Sequence, residues 1–387
     1  MTRETKIDLP AILTDLGPKF AQSAEWLDAT DGFVSENYQL LRDRKVFSAQ
    51  VPMSYGGGGA SHGEIAEFIR GVARHCPSTA LALAMHQHLV SAAVANDRAG
   101  RPGKALLEKV AAGELVLVST GANDWLESNG TAKPVDGGYR ISAIKPFASG
   151  SSAGDMMITS AVLDLPGEAP QVLHFPLSLK SEGVTLMGDW QTMGMRATGS
   201  QTIQLSEVFV PEAAISLRRS QAGFHPAFSV ILTVAMPIIM SAYLGIAEAA
   251  AEIAQTRAKG RAGDAVTQIL VGEMENLLTT ARLARDDMVR LANDLDFAPT
   301  VELASAILTR KAIAARHVIA TTEKALEVLG GSGFFRKAGI ERLLRDAHAA
   351  QFHPLQEKRQ QVFTGRHLLG LAPVETGQTK DDVPRAA

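Results

Sequence analysis

The 387-residue sequence predicts an α+β fold that is mostly α-helical, with one β section between two helical regions. In the first region apolar residues recur at the spacing of a helix face: Ile65, Phe68, Ile69 and Val72. From about residue 115 to 210 they form short runs, which is typical of strands. After about residue 227 helical spacing returns. Because no helix is predicted between the strands, we expect them to be antiparallel, which excludes a dinucleotide-binding βαβ core.

The β section contains several predicted strands separated by turn residues. They are Leu115–Val118, Tyr139–Ile144, Met156–Val162, Val172–Phe175, Val184–Met187 and Thr202–Val210. Asp136-Gly137-Gly138 is the strongest hairpin signal, because Asp-Gly pairs adopt the positive backbone angles of a two-residue turn. In the last region one predicted helix ends at Gly330-Gly331. Its apolar face contains Leu303, Ile307, Ala314, Val318, Ala325 and Leu329.

Two stretches, 77–96 and 220–247, are long and apolar enough to suggest membrane spans. Pro237 and several Ser, Thr and His residues interrupt them, and a helix that is apolar on all faces is equally expected inside a large bundle. We therefore predict buried helices. The predicted organisation is a helical domain at 1–112, a β domain at 113–212, a helical bundle at 213–371 and a tail at 372–387.

Composition and spacing exclude several classes of protein. The 38 Lys and Arg residues against 41 Asp and Glu give a net charge of -3, so there is no basic excess for nucleic-acid binding. The single cysteine, Cys76, excludes a disulfide framework and a multi-cysteine metal site. His86 and His88 fall on nearly opposite sides of a helix, and His348 and His353 are also out of register, so no metal site is predicted. The amino terminus has no apolar signal segment, so we expect a cytoplasmic protein.

Turns rich in Gly and Ser, together with the histidines, are the candidate functional groups. Gly330-Gly331-Ser332-Gly333 follows a helix, so it is not a dinucleotide fingerprint, although its amides could hold a phosphate. Hydroxyls in Phe147-Ala148-Ser149-Gly150 and Thr198-Gly199-Ser200 could hydrogen-bond a planar cofactor or simply stabilise turns. A histidine on an apolar helix is usually a core residue, but its pKa suits proton transfer if it lines a pocket.

Several segments, in the same order along the chain, resemble the acyl-CoA dehydrogenase superfamily. They are Val51-Pro52-Met53-Ser54-Tyr55-Gly56-Gly57, Pro77-Ser78-Thr79-Ala80 with Met85-His86, Met193-Gly194-Met195-Arg196-Ala197-Thr198-Gly199-Ser200 with Val208-Phe209-Val210-Pro211, Leu329-Gly330-Gly331-Ser332-Gly333-Phe334, Glu341-Arg342-Leu343-Leu344-Arg345-Asp346-Ala347 and Gly365-Arg366-His367-Leu368-Leu369-Gly370. The ordered set spans about residues 20–371.

The resemblance implies an acyl-CoA dehydrogenase-like fold: an N-terminal helical domain, a central antiparallel β domain and a C-terminal four-helix bundle. It also implies a homotetramer, a flavin (FMN or FAD) between the β domain and the bundle, and partial burial of the 220–247 helix by neighbouring subunits. In this family a carboxylate removes a substrate proton while hydride passes to the flavin. Its usual position reads Phe352-His353-Pro354-Leu355 here, and the position used by some relatives aligns with Ala235, so both lack an acid.

The adenylate-binding pattern of the family is not retained either. Ala258-Lys259-Gly260-Arg261 stands where the family has Arg-x-x-Phe, and Glu327 replaces the usual Gln. Instead, Arg345-Asp346-x-x-Ala349-x-x-x-His353 resembles the branch of two-component, reduced-flavin-dependent monooxygenases. This resemblance implies hydroxylation of a small organic substrate through a C4a-hydroperoxyflavin, with flavin supplied reduced by a separate reductase.

The same resemblance implies the site residues. Ser149 would hydrogen-bond near flavin N5 and protect the hydroperoxide, and His353 would deprotonate the substrate or stabilise the oxygen adduct. His86 would line the pocket, with His88 as the alternative. The implied cofactor-binding residues are Ser119, Thr120, Phe147, Ser149, Gly330, Gly331 and Gly333. Two other functions stay open: a divergent acyl-CoA dehydrogenase or oxidase that uses another base, and a non-catalytic assembly subunit.

Overall fold

The computed structural model describes residues 5–120 and 126–374. The helices are α1 Leu9–Thr30, α2 Ser35–Asp43, α3 His62–His75, α4 Pro77–Arg98, α5 Lys104–Gly113, α6 Pro226–Ala258, α7 Ala265–Ala292, α8 Val301–Leu329, α9 Ile340–Ala347 and α10 Glu357–Leu368. The strands are β1 Leu117–Ser119, β2 Thr131–Val135, β3 Gly138–Ala148, β4 Met156–Leu163, β5 Gln171–Ser178, β6 Val184–Leu186, β7 Gln201–Pro211 and β8 Leu217–Ser220. The helix–sheet–helix order predicted from the sequence is confirmed.

In the amino-terminal region, helix α3 begins at a capping motif and buries the apolar face that its sequence predicts. At the start of α3 the Ser61 hydroxyl accepts a hydrogen bond from the Glu64 amide, and the Glu64 carboxylate accepts one from the Ser61 amide. The predicted apolar face of α3 is buried, and α3 and α4 both pack against α6. This packing joins the amino-terminal helices to the carboxy-terminal bundle along one apolar interface.

The central sheet has the order β6-β7-β3-β2-β4-β5-β8, with β1 beside β4. Most pairs are antiparallel, but β1 and β2 both run parallel to β4, so the prediction of a purely antiparallel section is wrong at these two places. A parallel pair needs a long connection. Here the connections between the parallel strands contain other strands instead of a helix. The lack of a predicted helix therefore did not exclude parallel pairs.

The hairpin predicted at Asp136-Gly137-Gly138 is confirmed, because it joins β2 to β3 and Gly137 has a positive φ of 74°. Strands β2 and β8 were not predicted, since both are short and β2 is mostly exposed. β8 pairs with β5. The sheet therefore extends beyond residue 212, where the predicted β domain ends.

The carboxy-terminal region is a bundle of α6, α7, α8 and α10. Among the described residues, one helical stretch, Pro226–Arg261, is long and apolar enough to cross a membrane, and its most apolar window is wholly buried within the chain. Neighbouring subunits are therefore not needed to bury α6, contrary to what the resemblance implied. Helix α8 buries its predicted apolar face except for the half-exposed Leu303, and it ends at Gly330, whose φ is +57°.

Candidate active site

A cavity with a volume of about 460 Å³ lies where α4, α6, the sheet and the segment between α9 and α10 meet. Its walls are largely apolar because consecutive turns of α4 and α6 face it. The apolar side chains from these two helices include Leu81, Met85, Phe228, Ile231, Ala235 and Ile239. Such an apolar cavity with a few polar groups is the usual form of a small-molecule site.

The sheet side of the cavity is formed by residues at the ends of β1 and β3, which supply three hydroxyls and one aromatic ring. Ser119, Thr120, Phe147 and Ser149 all line the cavity. The β3–β7 pairing shifts register between Lys145 and Ala148, and Phe147 has a positive φ of 60°. This irregularity carries Phe147 and Ser149 out of the ladder and toward the cavity.

Hydrogen bonds hold the hydroxyls of this wall in place. The hydroxyl oxygens of Ser149 and Ser200 are 2.7 Å apart, and that of Thr198 is also 2.7 Å from Ser200. The Thr120 hydroxyl donates to Thr159 at 3.0 Å. Phe147 and Trp190 meet edge to face at 6.1 Å, so two aromatic rings stand beside the hydroxyls. A planar ring with polar edges is the kind of ligand that suits this combination of groups.

His353 lines the cavity from the segment between α9 and α10. Its backbone is extended, as the following Pro354 requires. Nε2 of His353 lies 2.7 Å from the Tyr243 hydroxyl of α6. Burial, together with the positive charge of Lys311 and the nearby His88, lowers the pKa of His353 to about 3. His353 is therefore neutral at pH 7.

The structure corrects the prediction for His86. This side chain does not line the cavity, because both ring nitrogens are engaged elsewhere: Nε2–H donates to the Phe47 carbonyl at 2.8 Å, and Nδ1 accepts from the Leu117 amide at 2.9 Å. His86 thus ties α4 to the start of the sheet. The alternative, His88, lines the cavity instead.

His88 is neutral as well, because burial lowers its pKa to about 4. Its Nδ1 lies 3.3 Å from the Ala84 carbonyl oxygen, which can only accept a hydrogen bond. Nδ1 therefore carries the proton, and Nε2 is left as an acceptor. Nε2 of His88 is therefore an uncharged hydrogen-bond acceptor in the part of the cavity wall that α4 forms.

The predicted cofactor residues Gly330, Gly331 and Gly333 are not brought to this cavity. They form a short turn at the carboxy-terminal end of α8, and no residue of α8 lines the cavity. Gly330 and Gly331 are exposed. Gly333 is buried against Leu326 and Leu329, so within this chain its role is packing.

The two domain models of one family match most of the helical regions of the chain. The acyl-CoA dehydrogenase N-terminal domain matches residues 18–114, and the acyl-CoA dehydrogenase C-terminal domain matches residues 238–357. The chain belongs to the acyl-CoA dehydrogenase family. It is accordingly an oxidoreductase, as the sequence resemblance implied.

Relatives of this acyl-CoA dehydrogenase family member carry names of more than one activity. The amino sugar nitrososynthase of Streptomyces peucetius is 28% identical, with 82% of each chain covered. A putative acyl-CoA dehydrogenase of Bacillus subtilis is 25% identical and covers 88% of this chain and 91% of its own. The FMN-bound dibenzothiophene monooxygenase of Paenibacillus sp. A11-2 superposes with a TM-score of 0.81 at 21% identity, over 94% of this chain and 97% of that chain. This last likeness shows the fold.

This family member has no carboxylate among the described residues that line the cavity. Ala235 and His353 both line it, so the two positions where relatives carry the catalytic carboxylate belong to the same cavity and hold no acid here. Arg345 is the charged residue among the described residues that line the cavity. Its guanidinium is paired with both carboxylate oxygens of Asp28 at 3.1 and 2.6 Å. Arg345 therefore holds α9 to α1 and brings little uncompensated charge to the cavity.

Sequence reasoning missed two aromatic residues of the site. Tyr243 lies in the long uncharged stretch, where nothing distinguishes it from a core residue, and Trp190 lies in the segment between β6 and β7. Neither belongs to a motif. Their roles depend on contacts with His353 and Phe147, which are distant in sequence.

Proposed function

We propose that this chain is the oxygenase component of a two-component monooxygenase, which uses reduced flavin and O₂ to oxidise a small organic substrate. The observation that carries the proposal is the acid-free cavity in which a neutral histidine, His353, takes the place of the family's carboxylate. Removal of an α-proton from an acyl thioester needs a base at that place. His353, with a pKa near 3, is a poor base but a good neutral hydrogen-bonding group.

The cavity fits a flavin ring by the chemistry of its lining. Ser119, Thr120 and Ser149 offer hydroxyls to the polar edge of the ring, and Phe147 and Trp190 offer aromatic surface. The FMN in the related Paenibacillus structure supports FMN as the ligand here. Bound reduced flavin supplies the two electrons with which one atom of O₂ enters the substrate and the other leaves as water.

The residues of the chain do the remaining work. Ser149, fixed by Ser200, holds the ring edge. His353, fixed by Tyr243, orients the substrate by a hydrogen bond, and His88 provides an acceptor. The apolar walls from α4 and α6 keep water out, which favours transfer of oxygen to the substrate over its loss as hydrogen peroxide.

The test is a hydroxylation assay with a matched control. Purified protein receives photoreduced FMN, ¹⁸O₂ and a panel of aromatic heterocycles, alkyl amines and amino sugars, and products are analysed for ¹⁸O. We expect product with the wild type and peroxide without product in His353→Ala. His348→Ala, which removes a nearby histidine that does not line the cavity, should retain full activity. Product formation by His353→Ala at the wild-type rate would refute the proposed role.

A second candidate function is an acyl-CoA dehydrogenase or oxidase with a displaced base, which the family membership and the Bacillus subtilis relative favour. The discriminating measurement is anaerobic. Bleaching of bound oxidised flavin by an acyl-CoA would establish this activity and exclude our proposal. Failure to bind flavin in either redox state would instead point to a non-catalytic subunit.

A further inference from the structure

Lys311 on α8 is a buried cation outside the cavity lining. Its side chain is 1% exposed, and it lies on the apolar face of α8, between the positions of Ile307 and Ala314. Among the described residues, no carboxylate oxygen lies within salt-bridge distance of its ammonium. Burying a cation without a counter-ion is costly, so its contacts need an explanation beyond packing.

The ammonium contacts the backbone that carries His353. Nζ donates a hydrogen bond to the His353 carbonyl at 2.7 Å and another to the Leu355 carbonyl at 3.2 Å. These carbonyls stand on either side of Pro354, in a segment that is neither helix nor strand. The segment thus takes its position from a side chain of α8, while the Tyr243 hydroxyl of α6 holds the imidazole at Nε2.

We propose that Lys311 is a positioning residue for His353: its buried ammonium fixes the carbonyls on both sides of Pro354 and thereby fixes where the imidazole lies in the cavity. The inference rests on the proposed function, because it assigns Lys311 a part in the same site. Lys311 does not touch the cavity, so it acts through the backbone it holds.

The charges around the two groups are consistent with this role. Burial lowers the pKa of Lys311 to about 8, opposed by Glu357 of α10. Lys311 and His88 of α4 add to the burial that keeps His353 neutral, and Asp346 of α9 acts on Tyr243, whose pKa burial raises well above 10. Lys311 therefore loses its proton near pH 8, and the carbonyls then lose their charged donor.

The test compares Lys311→Met, Lys311→Arg and a matched control, Thr321→Val. Thr321 is buried on the same helix, but its hydroxyl bonds to the His317 carbonyl within α8. The first readout is the ring resonance of His353 in the flavin-free full chain, assigned by its loss in His353→Ala. We expect it to move in Lys311→Met and to stay in place in Thr321→Val.

The second readout is product formed per reduced flavin consumed. It should fall by one to two orders of magnitude in Lys311→Met, because misplacement by about 1 Å costs up to ~100-fold. In the wild type the ratio should fall as the pH rises, with a midpoint near pH 8, because Lys311 loses its proton there. In Lys311→Arg, which keeps its charge, the ratio should not fall near pH 8.

The outcomes separate this inference from the proposed function. If the wild type forms no product, the proposed function fails, and the resonance of His353 still tests Lys311. An unmoved His353 resonance in a folded Lys311→Met protein would overturn the inference. Should Lys311→Met not fold, Lys311→Arg carries the test. In the wild type the His353 resonance should shift near pH 8 as Lys311 loses its proton, and a Lys311→Arg protein that keeps this shift would overturn the inference.

Discussion

The Tyr243 hydroxyl lies 2.7 Å from Nε2 of His353, and the two rings meet edge to face at 5.3 Å. Tyr243 comes from the buried helix α6 and His353 from an irregular segment beyond α9. A rigid helix thus sets the orientation of a side chain that its own backbone leaves loosely defined. Because burial keeps the phenol protonated and the imidazole neutral, the contact is an uncharged hydrogen bond.

Tyr243→Phe tests this contact. The substitution keeps the ring packing but leaves Nε2 of His353 without its partner, at a cost of about 1–3 kcal/mol of folding free energy. We expect a folded protein with a slightly lower melting temperature. Product per reduced flavin should fall about tenfold, since one misdirected hydrogen bond costs on the order of 1.4 kcal/mol. Equal product yield in the variant and the wild type would show that Tyr243 has no part in orienting His353.

Ser149 and Ser151 offer a matched pair in one turn. Ser149 lines the cavity, whereas the Ser151 hydroxyl donates to the Gly199 carbonyl at 3.0 Å and does not line it. We expect Ser149→Ala to weaken binding of reduced FMN about tenfold, because a ligand hydrogen bond is worth about 1 kcal/mol or more. Ser151→Ala should leave the affinity unchanged. Anaerobic titration followed by fluorescence measures both, and equal affinities would remove Ser149 from the flavin site.

The helices were the part of the fold that the sequence predicted well. Apolar periodicity is a local signal, and it located the buried faces of α3 and α8. The long uncharged stretch is another local signal, and it predicted that α6 is buried. The parallel pairing of β1 with β4 was not predictable in this way. Strand pairing depends on contacts between residues distant in sequence, and the three-residue strand β1 has no sequence feature that identifies β4 as its partner.

The same distinction explains the site. Ser149 and His353 were identified because they stand in motifs, and both line the cavity. The choice between His86 and His88 depended on the Phe47 carbonyl and the Leu117 amide, which bind His86 and leave His88 to face the cavity. Lys311 did have a local signal: a lysine on an otherwise apolar helix face needs a buried partner.

Four histidines whose pKa the fold lowers to about 3 or 4 predict that stability falls in acid: His86, His88 and His174 are buried, and His353 is half-buried. Burial lowers the pKa of His86 and His88 to about 4 and of His174 and His353 to about 3, against 6.5 for the unfolded chain. Between pH 6.5 and these values the unfolded state binds protons that the folded state does not. Each group therefore lowers the free energy of unfolding by roughly 1.4 kcal/mol per pH unit as the pH falls through this range.

Asp346 works in the opposite direction, because burial raises its pKa to about 6, so below that pH the folded state binds a proton first. Burial also raises the pKa of Glu114, but the histidines with lowered pKa values, which include buried His62, outnumber these two carboxyl groups. Urea unfolding should therefore give a lower free energy of unfolding at pH 5 than at pH 7. His353→Gln should make this dependence shallower by about one proton. A free energy of unfolding that is flat across this range would mean that the fold does not lower the pKa values of these histidines.

Gly194 lines the cavity at the point where the segment before β7 meets α9. A Cβ atom there would lie 2.4 Å from the Arg345 carbonyl oxygen and 2.8 Å from the Asp346 amide nitrogen, so Gly194→Ala must push backbone against backbone. We expect a loss of about 1–3 kcal/mol in stability and reduced flavin binding. Gly272→Ala is the matched control, because Gly272 lies inside α7 with nothing within 4 Å of its Cβ position. That substitution should stabilise the protein by up to about 1 kcal/mol, as alanine favours the helix. Thermal unfolding of both variants decides the point, and a Gly194→Ala protein as stable as the wild type would contradict the close approach of α9.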